Sequence, residues 1–340
     1  MFDFSSFIDL PLVWSIIIGF AIFLYVLLDG FDLGVGILFP FAPSDECRNK
    51  MMNSIAPFWD GNETWLVLGG GGLFAAFPLA YTILLPAFYI PIILMLLGLI
   101  MRGVAFEFRF KADDSFRWVW DYVFHFGSIG AAFCQGLILG GFVQGVEVEG
   151  RNFSGGPFDW ATAFSIMTGI AVVFGYALLG ATWLVMKTTD ITQLWSRNVA
   201  SYVLVFVALF MGLVSITVPF INEQIKLFWF STPNIYYLSV IPFVTFILFI
   251  MIWNDLHNTK HEYRAFLSSI FIFFMGYLGL GLSIFPWLIP YQYTIWDAAA
   301  YGPSLSLMLC GVMPLLPFIL GYTGYCYYVF RGKSSHEKMY

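Results

Sequence analysis

Charged side chains are scarce in this sequence of 340 residues, where they make up 11% of positions, whereas a soluble domain carries about 25%. This shortage excludes a protein whose whole surface is in water. The net charge is −6 and basic residues form no cluster, so we expect no nucleic-acid partner. No basic residue precedes Arg48, and the start of the sequence therefore lacks the positive segment of a cleaved signal peptide.

Cysteine and histidine are also few, with four of each and no CxxC pair, so the sequence predicts no iron–sulfur or zinc site. Cys310 and Cys326 share one predicted helix, about 24 Å apart, which excludes a disulfide between them. Only His125 lies within an apolar run, next to Asp121 along the same helical face. Haem iron needs axial His, Met or Cys ligands, and a lone histidine beside a carboxylate is more often a hydrogen-bonded structural residue. We therefore expect no redox chemistry within this chain alone.

Long apolar runs are what the sequence has in abundance: 60% of residues are hydrophobic and 20% are aromatic. Runs longer than about 18 residues recur along the chain, and each predicts a membrane-spanning helix. The sequence therefore predicts an all-α polytopic membrane protein. Its nine spans are expected at 8–39, 59–77, 87–108, 118–142, 158–186, 199–221, 235–253, 265–290 and 303–330. Four glycines at 69–72 interrupt the second span, and the count is eight if this segment does not cross.

The basic residues test this count, because loops on the cytoplasmic side carry an excess of lysine and arginine. With nine spans, one side holds only Arg151 and Lys226. The other side then holds twelve: Arg48, Lys50, Arg109, Lys111, Arg117, Lys187, Arg197, Lys260, Arg264, Arg331, Lys333 and Lys338. With eight spans, the asymmetry falls to ten against four. The distribution favours nine spans, with the N-terminus outside and the C-terminus in the cytoplasm.

A group of charged residues lies inside the predicted spans, where each ionised side chain costs about 2.5–3.5 kcal/mol. The directions of the first four spans bring these residues together near the cytoplasmic ends of the helices. The expected intramembrane charge cluster consists of Asp29, Asp32, Glu63, Arg102 and Asp121. One cation then faces several carboxylates, so some carboxylates should be protonated or reached by water.

Two interpretations of these charges stay open. Arg102 can pair with Asp29 or Asp121 and lock the helices together, which is a structural role. The carboxylates nearer the rim, Asp60, Glu63 and Glu107, can equally serve proton entry, since protonatable groups in series are what a proton relay needs. The glycine run at 69–72 is not followed by the Lys-Ser/Thr of a phosphate-binding loop, so close helix packing is favoured over nucleotide binding.

Four stretches in about the first 130 residues carry a family resemblance: LLDGFDLGVGIL, MNSIAPFWDGNETWLVLGGGGLFAAFPLAY, RGVAFEFR and WVWDYVFHFGS. They resemble subunit II of the cytochrome bd-type quinol oxidases, and the later half is similar in span pattern and in TIWDAAA. The resemblance implies a complex in the bacterial cytoplasmic membrane that oxidises quinol and reduces dioxygen to water. It implies that haem b and haem d are ligated by a partner, subunit I, so this chain would not be catalytic alone.

The resemblance also implies two four-helix bundles plus a peripheral helix, which we assign to residues 1–186 and 187–340. It implies a proton pathway through Asp60, Glu107 and Lys111 and an oxygen channel that passes Trp65. It leaves open whether small single-helix subunits or a structural quinone accompany the chain. The main alternative is a proton-coupled secondary transporter, which also uses intramembrane carboxylates and glycine-broken helices. A purely structural scaffold is the third interpretation.

Overall fold

The chain, described by a computed structural model over residues 7–258 and 261–335, is built almost entirely from helices. The α-helices are α1 (Leu10–Leu38), α2 (Asp45–Ile55), α3 (Trp59–Ala76), α4 (Pro78–Ala87), α5 (Tyr89–Arg109), α6 (Arg117–Gln144), α7 (Ala163–Lys187), α8 (Asp190–Ile221), α9 (Glu223–Phe230), α10 (Asn234–Leu238), α11 (Val240–His257), α12 (Arg264–Ile284) and α13 (Gly302–Val329). Two antiparallel hairpins pair β1 (Val148–Glu149) with β2 (Asn152–Phe153) and β3 (Trp287–Ile289) with β4 (Tyr293–Thr294).

Helix starts are fixed by side chains that satisfy the first backbone N–H groups. Asp9 precedes α1 and accepts a hydrogen bond from the N–H of Leu12 at 3.1 Å. At the start of α7, Thr162 and Ser165 exchange side-chain and backbone hydrogen bonds, which is a capping box. At the other end of a span, Gly145 takes a φ of 88° and ends α6. These signals fix where α1 and α7 begin and where α6 ends.

Within the described residues, eight helices are long and apolar enough to cross a membrane, which confirms the predicted all-α polytopic membrane fold. They are α1, α5, α6, α7, α8, α11 with the preceding α10, α12 and α13. The second predicted span is not among them, because the first turns of α3 contain Asp60, Asn62 and Glu63. Length and apolarity alone therefore do not decide between eight and nine crossings.

The contacts of α3 favour a ninth crossing. Near its start, Asn62 donates a hydrogen bond to the carbonyl of Leu28 at 3.2 Å, and near its end Gly72 lies against Ile18. The contacted residues of α1 come earlier in the sequence as those of α3 come later. The two helices are therefore antiparallel over ten residues of α1, or roughly 15 Å. The backbone of Ala76 then accepts from Ala300 at 2.8 Å, at the end where α13 begins. The nine-span count stays a prediction that this geometry supports.

The centre of the molecule is the crossing of α1 and α7, which only glycine permits. A Cβ atom added at Gly34 would lie 1.9 Å from the carbonyl oxygen of Tyr176, and one at Gly180 would lie 2.3 Å from the carbonyl carbon of Gly34. Around this crossing, α1 also packs on α3 and α6, α5 packs on α6, and α7 packs on α8 and α12. Because α7 contacts helices from both halves, the division at residues 186 and 187 stays a prediction.

Candidate functional site

Arg102, on α5, is the buried cation around which three helices meet. Its guanidinium contacts Asp29 of α1 at 2.6 Å and also contacts Glu63 of α3. Arg102 and Asp29 are fully buried, and the ring of Trp59 lies 5.5 Å from the guanidinium carbon. Asp29 was one of the two partners expected from the sequence. Because an unpaired buried cation costs several kcal/mol, these contacts fix how α1, α3 and α5 pack.

Asp32 is a second fully buried carboxyl group, about one turn further along α1, and it contacts no cation within the described residues. One of its oxygens accepts a hydrogen bond from the amide of Asn62 at 2.7 Å, and Tyr327 donates to the same amide at 3.0 Å. Asp29, Asp32 and Glu63 therefore form a group of three carboxyl groups beside one guanidinium, which contacts Asp29 and Glu63. Burial of uncompensated charge is costly, so a bound proton or access of water must compensate this cluster.

Asp121 was expected in the same cluster, but the structure places it in a separate ionic group. Its carboxylate contacts Arg109 at 2.5 Å and Arg48 at 3.7 Å, and Arg109 donates to Asn49 at 2.7 Å. Arg109 is fully buried although the sequence placed it in a loop. The missed signal was spacing: Arg102 and Arg109 are seven residues apart, two helical turns, and so share one face of α5. The single predicted cluster is thus two groups along that face.

The rim residue Asp60 begins a series of carboxyl groups that leads inward. Asp60 is exposed in the first turn of α3, and Glu63 follows three residues later on the same face. The Glu63 side chain is 30% exposed, whereas that of Asp29 is 0% exposed. Exposure therefore falls from Asp60 through Glu63 to Asp29. Carboxyl groups of decreasing exposure thus lie between the surface and the buried cluster.

Glu107 and Lys111 form a separate pair at the end of α5. Their charged atoms are 3.6 Å apart, and their side chains are 44% and 69% exposed. An exposed pair of this kind contributes little to stability. The structure does not connect this pair to Asp60 by a direct contact among the described residues. Their place on a shared path stays a prediction.

Trp65, expected along an oxygen channel, lies deep between α1 and α3. It is 2% exposed and packs against Ala21 and Tyr25, with its ring edge-on to Phe20 at 6.4 Å between centroids. Its surroundings are apolar. Whether an oxygen route passes this side chain stays a prediction.

A chain of polar side chains extends from the cluster toward α6 and α7. Tyr25 lies one turn before Asp29 on α1, and its hydroxyl accepts from Gln135 at 2.7 Å. Tyr176 donates to the same glutamine at 2.5 Å. These polar contacts are not predicted from the sequence, because single tyrosine and glutamine residues in apolar runs form no recognisable pattern.

His125 lies on α6 with its Nδ1 atom 3.3 Å from the carbonyl oxygen of Gly36, and Phe41 and Phe126 pack edge-on against its ring. The imidazole is therefore engaged in the packing of α6 on α1. Over residues 7–258 and 261–335, no group of three His, Cys, Asp or Glu side chains is arranged to hold a metal ion.

Fold and site together define a polytopic helical membrane protein with carboxyl groups of several helices gathered around a buried arginine. The chain belongs to the family described as cytochrome bd terminal oxidase subunit II, whose profile matches residues 10–330. This confirms the resemblance seen in the sequence, and it does not favour a secondary transporter.

Individual relatives cover nearly the whole chain. The chain is 31% identical to "Cytochrome bd ubiquinol oxidase subunit 2" of Bacillus subtilis (strain 168), over 96% of this chain and 97% of that protein. It is 28% identical to "Cytochrome bd-I ubiquinol oxidase subunit 2" of Escherichia coli (strain K12), over 96% of each. A chain of the bd oxidase from Geobacillus thermodenitrificans shares the fold, with a TM-score of 0.70 and 16% identity over 95% of this chain and 99% of that chain.

Proposed function

We propose that this chain is the second subunit of a bd-type terminal oxidase, in which quinol oxidation is coupled to reduction of dioxygen to water. Its own part is to carry protons from the cytoplasm toward the reaction site and to give oxygen an apolar route. Family membership supports the oxidase role. The proton role rests on one observation, the fall in exposure from Asp60 through Glu63 to the buried Asp29 beside Arg102.

The proposed proton path starts at the rim. Asp60 takes a proton from water and can pass it to Glu63, one turn deeper on the same face of α3. Because Glu63 and Asp29 both contact Arg102, a proton that reaches either of them changes how the guanidinium charge is shared. Glu107 and Lys111, exposed at the end of α5, collect protons at the same end of the molecule.

The oxidase family implies haem groups in the complex, and we propose that haem b and haem d are held by the partner, subunit I. The scarcity of histidine supports this assignment, since only His125 of the four histidines lies within a predicted span. The haems supply electron transfer and oxygen reduction. Trp65 would line the oxygen route, where its buried ring packs against Ala21 and Tyr25 of α1. Accessory single-helix subunits and a structural quinone are not part of the proposal.

We propose a location in the bacterial inner membrane, with the N-terminus outside and the C-terminus in the cytoplasm. The asymmetry of basic residues supports this orientation. The exposed end of the carboxyl series then faces the cytoplasm, from which the protons are taken.

The proton role is tested with Asp60→Asn and Glu107→Gln in the purified complex. Each amide keeps the size of the side chain but removes the proton that can be exchanged. We expect unchanged haem content and unchanged reduction by quinol, with proton uptake in a single turnover slowed roughly tenfold or more. Glu149→Gln is the matched control, since Glu149 is an exposed carboxylate of the β1–β2 hairpin. Wild-type uptake rates in both variants would show that these carboxylates are structural.

A further inference from the structure

Residues 330–335, here called the C-terminal strap, lie across the ends of several helices. The N–H of Ser334 donates to the carbonyl of Lys187 at 2.7 Å, and its hydroxyl donates to the carbonyl of Lys50 at 2.8 Å. The ammonium group of Lys333 contacts Glu262 at 2.5 Å and the carbonyl of Thr188 at 3.1 Å. The strap therefore connects the end of α13 to α2, to α7 and to the segment before α12.

Lys187, the last residue of α7, holds the beginning of the strap. Its side chain is buried, and its ammonium group donates to the carbonyls of Phe330 and Gly332, the latter at 2.7 Å. The rings of Phe58 and Trp183 lie 5.8 and 5.4 Å from the ammonium nitrogen. A cation with two carbonyl acceptors and two aromatic faces is well compensated, so this contact fixes where α13 ends.

Tyr327 lies one turn before this anchor. Its ring packs with those of Phe58 and Trp183, and these three rings are here called the aromatic cover. Its ring stacks on Phe58 with centroids 4.3 Å apart and planes 7° from parallel, and Trp183 packs edge-on against both rings. With α13 held by the strap and the ring held by Phe58, the hydroxyl of Tyr327 has a fixed position. It donates to the side-chain oxygen of Asn62 at 3.0 Å.

Asn62 transmits this position to Asp32. Both ends of this amide are engaged, because its oxygen accepts from Tyr327 while its NH₂ faces the Leu28 carbonyl, which can only accept. In the observed orientation, the NH₂ of Asn62 donates to Asp32 at 2.7 Å and to the carbonyl of Leu28 at 3.2 Å. The reversed amide would place the side-chain oxygen of Asn62 against the carbonyl oxygen of Leu28. Asp32 is fully buried and contacts no described cation, so this amide is the contact that determines how its carboxyl group is held.

We propose that Tyr327, fixed by the C-terminal strap, is a positioning residue of the proton relay that orients Asn62 on the Asp32 carboxyl group. The inference rests on the proposed function, because it makes Asp32 a member of the proton-exchanging cluster. In this proposal, exchange with water runs along α3, past Glu63 and Asp60, which are more exposed than Asp32.

The test compares Tyr327→Phe with its matched control Tyr325→Phe, an exposed tyrosine on the same helix. Tyr327→Phe keeps the stack on Phe58 and removes only the hydroxyl. Infrared difference spectra of the oxidised and reduced complex are recorded, and the Asp32 carboxyl band is identified by its loss in Asp32→Asn. We expect this band to shift in Tyr327→Phe and to stay in place in Tyr325→Phe. Proton uptake should slow about three- to tenfold, the factor that one lost hydrogen bond corresponds to.

The strap is tested separately with Lys187→Met, which removes the donors to Phe330 and Gly332. Amide hydrogen exchange at Ser334 should become faster, and the Asp32 band should move as it does in Tyr327→Phe. If this variant does not assemble, Lys333→Met, on the exposed side of the strap, replaces it with the same two readouts.

The outcomes separate the two proposals. If the Asp32 band is unmoved in Tyr327→Phe, or if Asp32→Asn removes no band, the positioning role is refuted, even when Asp60→Asn still slows proton uptake. If the band shifts as expected but Asp60→Asn and Glu107→Gln take up protons at the wild-type rate, the proposed proton path is refuted and the positioning of Asp32 stands.

Discussion

The guanidinium of Arg102 contacts carboxylates from two other helices, and this pairing explains why the cluster is retained in an apolar interior. A buried ion pair adds little net stability over apolar packing, but the removal of one partner leaves an uncompensated charge. Nε and Nη1 of Arg102 have no hydrogen-bond partner among the described residues, so its two carboxylates carry most of the compensation.

Replacement of Arg102 by leucine should therefore reduce assembly more than turnover. The carboxylates of Asp29 and Glu63 would lose their cation, at a cost of about 3–5 kcal/mol. We expect a lower amount of assembled complex in membranes, measured by haem absorbance and by thermal inactivation. Arg151→Leu, in the β1–β2 turn, is the control for loss of an exposed cation. An Arg102→Leu complex that assembles at the wild-type level would contradict the pairing.

At this scale, the sequence could show which residues need partners but not which partners they find. Asp29 and Arg102 lie in apolar runs, where charges must pair, and they do so. Asp121 pairs with Arg109 instead, because the rotation of α6 about its axis depends on packing against α1 and α5. The role of Asn62 and Tyr327 depends on a contact across 265 positions, which no local pattern reveals.

Among the helices, the crossing of α1 and α7 is the contact that tolerates least change. Gly34 and Gly180 bring two backbones together, so an added methyl group meets backbone atoms that cannot move aside. This crossing also places Tyr176 within 2.5 Å of Gln135 and Trp183 against the rings of Phe58 and Tyr327.

Gly34→Ala should lower the thermal stability of the complex, because its Cβ would lie 1.9 Å from the carbonyl oxygen of Tyr176. We expect a loss of roughly 1–3 kcal/mol or more, which is typical of overpacking. The matched control is Gly311→Ala on α13, where an added Cβ meets no atom within 4 Å. Equal melting temperatures for the two variants would show that the crossing can relax.

The C-terminal strap should be released by acid. Hydrogen bonds from Lys333 and Gln193 lower the pKa of the exposed Glu262 carboxyl group. A carboxyl group with a lowered folded-state pKa stabilises the fold above its unfolded pKa of about 4.3, and this contribution is lost as the pH falls through the folded value. We expect amide exchange at 333–335, corrected for its intrinsic pH dependence, to be slow at neutral pH and faster below about pH 4.

Glu262→Gln is the variant that checks this assignment. The amide cannot ionise, so exchange in the strap should already be faster at neutral pH and should change little with acid. An unaltered acid response in Glu262→Gln would mean that another group controls the release.

Boundaries of the elements show what apolar runs can and cannot predict. The fourth span was expected at 118–142 and is Arg117–Gln144 in the structure. By contrast, α8 begins at Asp190, nine residues before the expected 199, because its first turns are polar and lie beyond the apolar run. The expected span at 265–290 ends at Ile284, since Pro286 and the β3 strand follow. Hydropathy identifies the part in lipid, whereas caps and prolines decide where a helix ends.

In the whole molecule, the end at which the carboxyl series opens also gathers the basic side chains. Lys50 lies 3.7 Å from Asp190, and Arg197 donates to the carbonyl of Asp255 at 3.0 Å, so helices from distant parts of the chain meet there. The opposite end carries the two hairpins, where Trp296 donates to Asp9 at 2.9 Å. The two ends thus differ in charge and construction.

Reporter fusions at the two termini test the orientation that follows. The basic asymmetry predicts a cytoplasmic C-terminus and an N-terminus outside. An alkaline phosphatase reporter should be active at the N-terminus, and a fluorescent reporter that folds only in the cytoplasm should be active at the C-terminus. A reporter inserted at Gly150, in the β1–β2 turn, controls for the outer side. Termini on the same side would mean that α3 does not cross.

The C-terminal strap also sets an order of events during synthesis. Lys187 leaves the ribosome more than 140 residues before the carbonyls of Phe330 and Gly332 that it binds. Until those residues are made, the ammonium group and the ends of α2 and α7 lack these partners, and the aromatic cover lacks Tyr327. The contacts at this end of the molecule therefore form only after residues 327–334 have been made. A nascent chain stalled before α13 would lack these contacts, so the ends of α2 and α7 would stay uncovered.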